Sequence, residues 1–123
     1  MKLHYQITGS GKPLLVIHGL FGSSDNWRSM IKYFSKQNQV ISIDLRNHGR
    51  SPHSDSQSLV DMAEDIYELC QDLALNKVTI LGHSLGGKAA MQFAELYEQY
   101  VEKLIIVDIS PRQYEGEHTP LMD

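Results

Sequence analysis

Val78-Thr79-Ile80-Leu81-Gly82-His83-Ser84-Leu85-Gly86-Gly87 is the stretch on which the reading of this chain turns. An apolar, β-branched run ends in Gly-x-Ser-x-Gly and leads into residues of helical period. The first half predicts a buried strand and the second a helix. Between them the chain must turn sharply, under strain, as a nucleophile elbow does. Gly82 and Gly86 carry no Cβ, so strand and helix can approach closely on either side of Ser84. Ser84 is therefore expected to stand exposed at the carboxyl end of its strand, at the positive end of a helix dipole.

Two other readings use the same residues. Gly82 through Lys88 spells G-x-x-x-x-G-K, most of a phosphate-binding loop. Such a loop needs Ser or Thr next, to hold Mg²⁺, and the next residue is Ala89. It also usually follows the first strand of its domain, whereas several strand-like runs precede this one. The blander alternative is a glycine-rich turn that buries an inert serine. The strand before and the helix after favour the elbow over both.

Composition narrows the class further. The chain has 123 residues, 41% hydrophobic and 21% charged, with a formal net charge of −4. That is ordinary for a globular domain with one modest core. No basic face points to nucleic acid and no acidic run to disorder. Met1-Lys2-Leu3-His4-Tyr5 has no apolar signal region. No apolar run approaches the ~18 residues of a membrane span. The single Cys70 excludes an intrachain disulfide and fits a reducing, cytoplasmic setting.

The remaining segments alternate between strand and helix patterns. Leu3 to Thr8 reads as a strand, Gly9 to Pro13 as a turn, and Leu14 to Ile17 as a strand buried on both faces. Ser23-Ser24-Asp25 can cap a helix with Trp27, Met30, Ile31 and Phe34 inward. Val40 to Ile43 is the next strand, followed by a polar loop from Arg46 to Gln57. Ser58-Leu59-Val60-Asp61 resembles a capping box with Asp in place of Glu. It opens a helix whose apolar stripe is Leu59, Met62, Ala63, Ile66, Leu69, Cys70 and Leu73, with Asn76 as its stop. After the elbow, Ala89, Ala90, Phe93, Ala94 and Tyr97 face inward. Leu104 to Val107 is the last strand. The order β-β-α-β-α-β-α-β predicts an α/β fold: a mostly parallel sheet with helices on both faces. Ligands then bind at the carboxyl ends of the strands. Those ends carry His18-Gly19, Asp44, Ser84 and Asp108.

Taken in order, His18-Gly19, Asp44-x-Arg46-x-His48-Gly49-x-Ser51 and Gly82-His83-Ser84-Leu85-Gly86-Gly87 resemble the α/β-hydrolase superfamily. The resemblance covers nearly all 123 residues. Arg46-Asn47-His48-Gly49, and Gly86-Gly87-Lys88 followed by Val107 to Pro111, look like the YbfF-type esterase branch. Asn47 stands where many relatives have Gly, and Asn tolerates a left-handed backbone better than most residues.

The resemblance implies a serine esterase without cofactor or metal. Ser84 would attack the carbonyl of a small acyl ester or thioester and form an acyl-enzyme. The N–H groups of Leu85 and Leu20 would form the oxyanion hole. One such donor typically supplies about 3 kcal/mol of transition-state stabilisation. His18 would order its loop. Asp108 is the acid that the resemblance implies, with a turn-capping role at Ser110-Pro111 as the alternative. Asp44 is expected to organise its loop, pairing with Arg46 or the backbone.

The base is not assigned. Six histidines are present. Only His118 follows both Ser84 and Asp108, in a polar segment where relatives begin a lid. Relatives run to roughly twice this length and carry a late catalytic His. Residues 1–123 are thus expected to be the N-terminal portion of a single domain, truncated before the lid and last strands. The chain is expected to act only when a downstream His completes it, with the C-terminal half as a separate chain among the possibilities. The alternative function is a non-catalytic remnant or binding module of the same fold. Ser84 argues against dehalogenase and epoxide-hydrolase chemistry, which in this superfamily use an Asp nucleophile.

Overall fold

The computed structural model describes residues 1–17 and 24–107, with the backbone alone described for 24–27. His18, Gly19, Leu20, Asp108 and His118 lie outside the described residues, as does the Trp27 side chain. The elements run β1 (Tyr5–Thr8), β2 (Lys12–Ile17), α1 (Ser24–Phe34), β3 (Asn38–Ile43), α2 (Leu59–Asp72), β4 (Val78–His83), α3 (Leu85–Leu96) and β5 (Val101–Val107). A 3-10 turn, Glu98–Tyr100, feeds β5 directly.

These strands form one sheet in the order β1-β3-β2-β4-β5. The pairings β2 with β3, β2 with β4, and β4 with β5 are parallel, whereas β1 lies antiparallel to β3. The carboxyl ends of β2, β3, β4 and β5 therefore share one rim, where an open parallel sheet binds ligands.

Alternation along β2 divides the core into two layers. Leu14 and Val16, with Val40 and Leu81, pack against Met30, Ile31 and Phe34 of α1. Leu15 and Ile17, with Ile41, Ile43 and Ile80, pack against Met62, Ile66 and Leu69 of α2 and Phe93 of α3. Helices thus cover both faces. A parallel sheet needs this, because its strands are apolar on both sides.

Several boundaries differ from the sequence reading. Lys12 and Pro13, read as turn, belong to β2 and pair with Asn38 and Gln39. β1 starts at Tyr5, two residues late, and β5 starts at Val101, three early. α2 ends at Asp72, before the expected stop at Asn76. Its end is a Schellman motif: the Leu75 N–H donates to Cys70 O at 2.8 Å and the Ala74 N–H to Gln71 O at 3.1 Å. Ala74 takes the left-handed position, with φ 55°. At the other end, Ser58 Oγ accepts the Asp61 N–H at 3.1 Å, as a cap should. The Asp61 carboxylate accepts instead from Ser56 Oγ.

β5 is an edge strand, and Leu104, Ile105 and Ile106 are 37%, 44% and 36% exposed. The corresponding residues of β2 are essentially inaccessible.

Candidate active site

Ser84 sits between the last residue of β4 and the first of α3. Its backbone is at φ 59°, ψ −121°. Side chains other than hydrogen rarely tolerate that region, and holding a residue there costs about 1–3 kcal/mol. The surrounding hydrogen bonds explain how it persists. Ser84 O accepts from Gly87 N at 2.9 Å and Lys88 N at 3.1 Å, and the Ser84 N–H reaches Val107 O at 3.3 Å. The serine is clamped between the first turn of α3 and the end of β5. Its side chain makes no capping bond to the helix and is exposed, as the elbow reading expects.

The two elbow glycines have different neighbours. A Cβ on Gly82 would lie 2.6 Å from Gly86 O and 2.7 Å from Gly87 Cα, so Gly82 lets β4 touch α3. A Cβ on Gly86 would run into the carbonyl oxygen of Ile17, at the end of β2. Gly86 therefore admits a neighbouring strand rather than its own. The sequence reading gave both glycines one job, because spacing along the chain does not show which strand lies alongside.

The N–H groups of a helix's first turn have no partner within the helix. Leu85 opens α3 directly after Ser84, so its N–H has no partner within the helix. Of the other expected site residues, Leu20 and Asp108 lie outside the described residues. Asp108 directly follows Val107, whose carbonyl holds the Ser84 N–H. Ile17, which directly precedes His18, abuts Gly86. Among the described residues no group of three His, Cys, Asp or Glu could hold a metal ion.

The motif Asp44-x-Arg46-Asn47-His48-Gly49-x-Ser51 uses its side chains to build its own loop. The Asp44 carboxylate accepts the Arg50 N–H at 3.1 Å. Ser51 Oγ donates to Asp44 O and accepts the His4 N–H at 2.8 Å. Asn47 is left-handed, φ 67°, as its substitution for Gly suggested, and its Oδ1 accepts the Ser54 N–H at 2.7 Å. His48 Nδ1 lies 2.7 Å from Arg46 O, so as the N–H it donates there.

Arg46 pairs with Asp65 rather than Asp44. Its Nε and Nη2 donate to the two Asp65 oxygens at 2.7 and 2.9 Å, a bidentate pair, and Nη1 donates to Ser56 O at 3.1 Å. Asp65 is only 1% exposed and also meets the Met1 ammonium at 3.1 Å. The Asp65 hydrogen bonds are the main cause holding the Arg46 guanidinium above its ordinary pKa. The sequence offered one overlooked signal. Asp65 lies within the apolar stripe of α2, three residues after Met62 and four before Leu69. A carboxylate on an inward face requires a cation.

Comparison with known proteins agrees with this geometry. A family model described as "alpha/beta hydrolase fold" matches residues 12–122. A putative esterase/lipase of Haemophilus influenzae is 48% identical over 103 residues, covering 84% of this chain and 36% of that protein. The zebrafish (Danio rerio) sn-1-specific diacylglycerol lipase ABHD11 is 43% identical, covering 84% of this chain and 33% of the lipase. Among solved structures, a marine microorganism esterase superposes with a TM-score of 0.83 at 47% identity, covering 92% of this chain and 44% of that one. Esterase YbfF of Escherichia coli matches at 35% identity, over 85% of this chain and 41% of YbfF. The YbfF-type branch is therefore not singled out over other esterases and lipases. The chain spans about a third of the length of the curated relatives it matches. With the matched fold, the parallel sheet and the strained serine on one rim, the chain belongs to the α/β-hydrolase fold family.

Proposed function

We propose that this chain carries the nucleophile of a serine hydrolase that cleaves carboxylic esters or acyl thioesters through an acyl-enzyme on Ser84. The observation that carries the reading is the backbone of Ser84. A non-glycine residue at φ 59°, ψ −121°, exposed beside a helix N-terminus at the rim of a parallel sheet, has a side chain presented to a ligand. The esterase and lipase names of its relatives support the substrate class.

The steps follow from the parts. Ser84 Oγ attacks the acyl carbon as a general base takes its proton. The carbonyl oxygen becomes an oxyanion, which the N–H groups of Leu85 and Leu20 receive. The alcohol or thiol leaves with a proton from the same base, and water then releases the acid. Asp108 orients the base, a histidine downstream of it. Residues 1–123 form the N-terminal portion of a single domain, which that histidine completes. A reducing, cytoplasmic setting suits Cys70, a buried free thiol.

Turnover of p-nitrophenyl acetate by the protein in its natural full length tests the reading. Ser84→Ala is expected to lower kcat by about 10⁴-fold or more, leaving only what binding and the oxyanion donors provide. A variant that keeps most of its kcat would remove Ser84 from the mechanism. A wild-type protein without esterase activity would favour a binding module on the same fold.

A further inference from the structure

We infer that Lys88 is a specificity-determining residue: it favours, at Ser84, esters and thioesters that carry a second, anionic group such as a carboxylate or phosphate. The inference rests on the reaction proposed above and narrows its substrate class. Lys88 closes the run Gly82 to Lys88 that spells most of a phosphate-binding loop. Acyl transfer from a neutral ester needs no cation there.

Its place on α3 puts Lys88 beside the nucleophile. The Lys88 N–H donates to Ser84 O at 3.1 Å, so Lys88 stands one helical turn beyond Ser84. Residues four apart share a helix face. Side chains on a helix lean toward its amino end, so Lys88 reaches back over the turn that Ser84 begins. That turn rises about 5.4 Å, which the four-carbon stem of a lysine spans. Both residues are exposed, and Gly86 and Gly87 between them have no side chains to obstruct the stem.

For the fold alone, a cation is poorly placed here. The amino end of a helix is the positive end of its dipole, which favours carboxylates over ammonium groups. α3 has no acidic residue in its first turn, and its one carboxylate, Glu95, lies two turns on. The Lys88 ammonium forms no ion pair with a described residue. Arg46 is the contrast, engaged by Asp65 and by Ser56 O. Lys88 thus holds an uncompensated positive charge within one turn of the reacting hydroxyl. Such a charge separates an anionic ester from its neutral isostere, and salt screens the difference.

The test compares wild type, Ser84→Ala, Lys88→Met and Lys88→Arg in the protein at its natural full length. Methionine removes the charge and arginine keeps it. Two pairs of esters are assayed. Mono-p-nitrophenyl adipate against methyl p-nitrophenyl adipate puts the anion on the acyl side. 4-Acetoxybenzoate against methyl 4-acetoxybenzoate puts it on the leaving group. The readout is the ratio of kcat/KM, anionic ester over neutral ester, within each pair. Lys88→Met is expected to lower that ratio about tenfold or more in one pair, which identifies the side that carries the anion. Lys88→Arg is expected to hold it within about threefold of wild type. Added salt at about 0.5 M should lower the wild-type ratio and leave that of Lys88→Met unchanged. A ratio that Lys88→Met leaves unchanged in both pairs would overturn the inference, including where both esters slow together. So would an equal loss in Lys88→Arg and Lys88→Met. Full turnover of the neutral esters by Ser84→Ala would instead strike the proposed reaction.

Discussion

Among the described residues, three other than glycine hold a positive φ: Asn47, Ala74 and Ser84. Each has a different justification. Asn47 uses its side chain to bind Ser54 N–H, and its left-handed tolerance was readable from its identity. Ser84 was readable from its flanking glycines. Ala74 was not readable, because no glycine or asparagine marks it. It closes α2 in a position that suits Gly, at a cost of about 1–2 kcal/mol for an L-residue. Ala74→Gly is therefore expected to stabilise the fold by about 1 kcal/mol once the extra freedom of unfolded Gly is deducted. Urea denaturation would register it as a higher midpoint at an unchanged slope.

At the scale of elements, α2 anchors the N-terminus and the loop after β3 together. Asp65 meets both Arg46 and the Met1 ammonium, and Glu68 meets the Met1 ammonium at 2.7 Å and Lys2 at 2.9 Å. Asp65→Asn leaves Arg46 nearly buried without its bidentate carboxylate. It should cost about 3 kcal/mol or more, measured by denaturation at neutral pH. Glu68 gives a pH signature. The Met1 ammonium first, and Lys2 second, hold its carboxyl down to about 2 from an ordinary 4.5. A folded pKa below the unfolded one gives stability that is present above 4.5 and lost as pH falls through about 2. The gap in denaturation midpoint between wild type and Glu68→Gln should hold steady above that window and close within it. A gap that widened on acidification would contradict the ion pairs.

Periodicity found these elements because the apolar stripe of α2 and the continuous run of β2 each answer to one packing surface. It could not supply the strand order, because β1 crosses past β3 to lie antiparallel at the far edge. It could not foresee the Arg46–Asp65 pair either, since the partners lie 19 residues apart on different elements.

For the whole molecule, the two edges of the sheet differ. β1 is four residues long, whereas β5 is seven, with three consecutive apolar residues exposed. Leu104 to Val107 has the composition of a strand covered on both faces. The composition was legible in the sequence, and the sheet order sets the strand at an edge among the described residues. The site divides in the same way. The elbow was legible because its turn, strand and helix are contiguous. The base was not, and the acid Asp108 came from the resemblance alone, because a triad is assembled from distant segments and its members are recognised by geometry.

The most direct measurement is the site of covalent modification by a fluorophosphonate on the protein at its natural full length. The probe phosphonylates Ser84 Oγ with loss of fluoride, so digestion and mass spectrometry should place one adduct on the peptide containing Ser84. Ser84→Ala should abolish it, and heat-unfolded wild type should not react. An adduct on another serine, or none on folded protein that hydrolyses esters, would contradict the account.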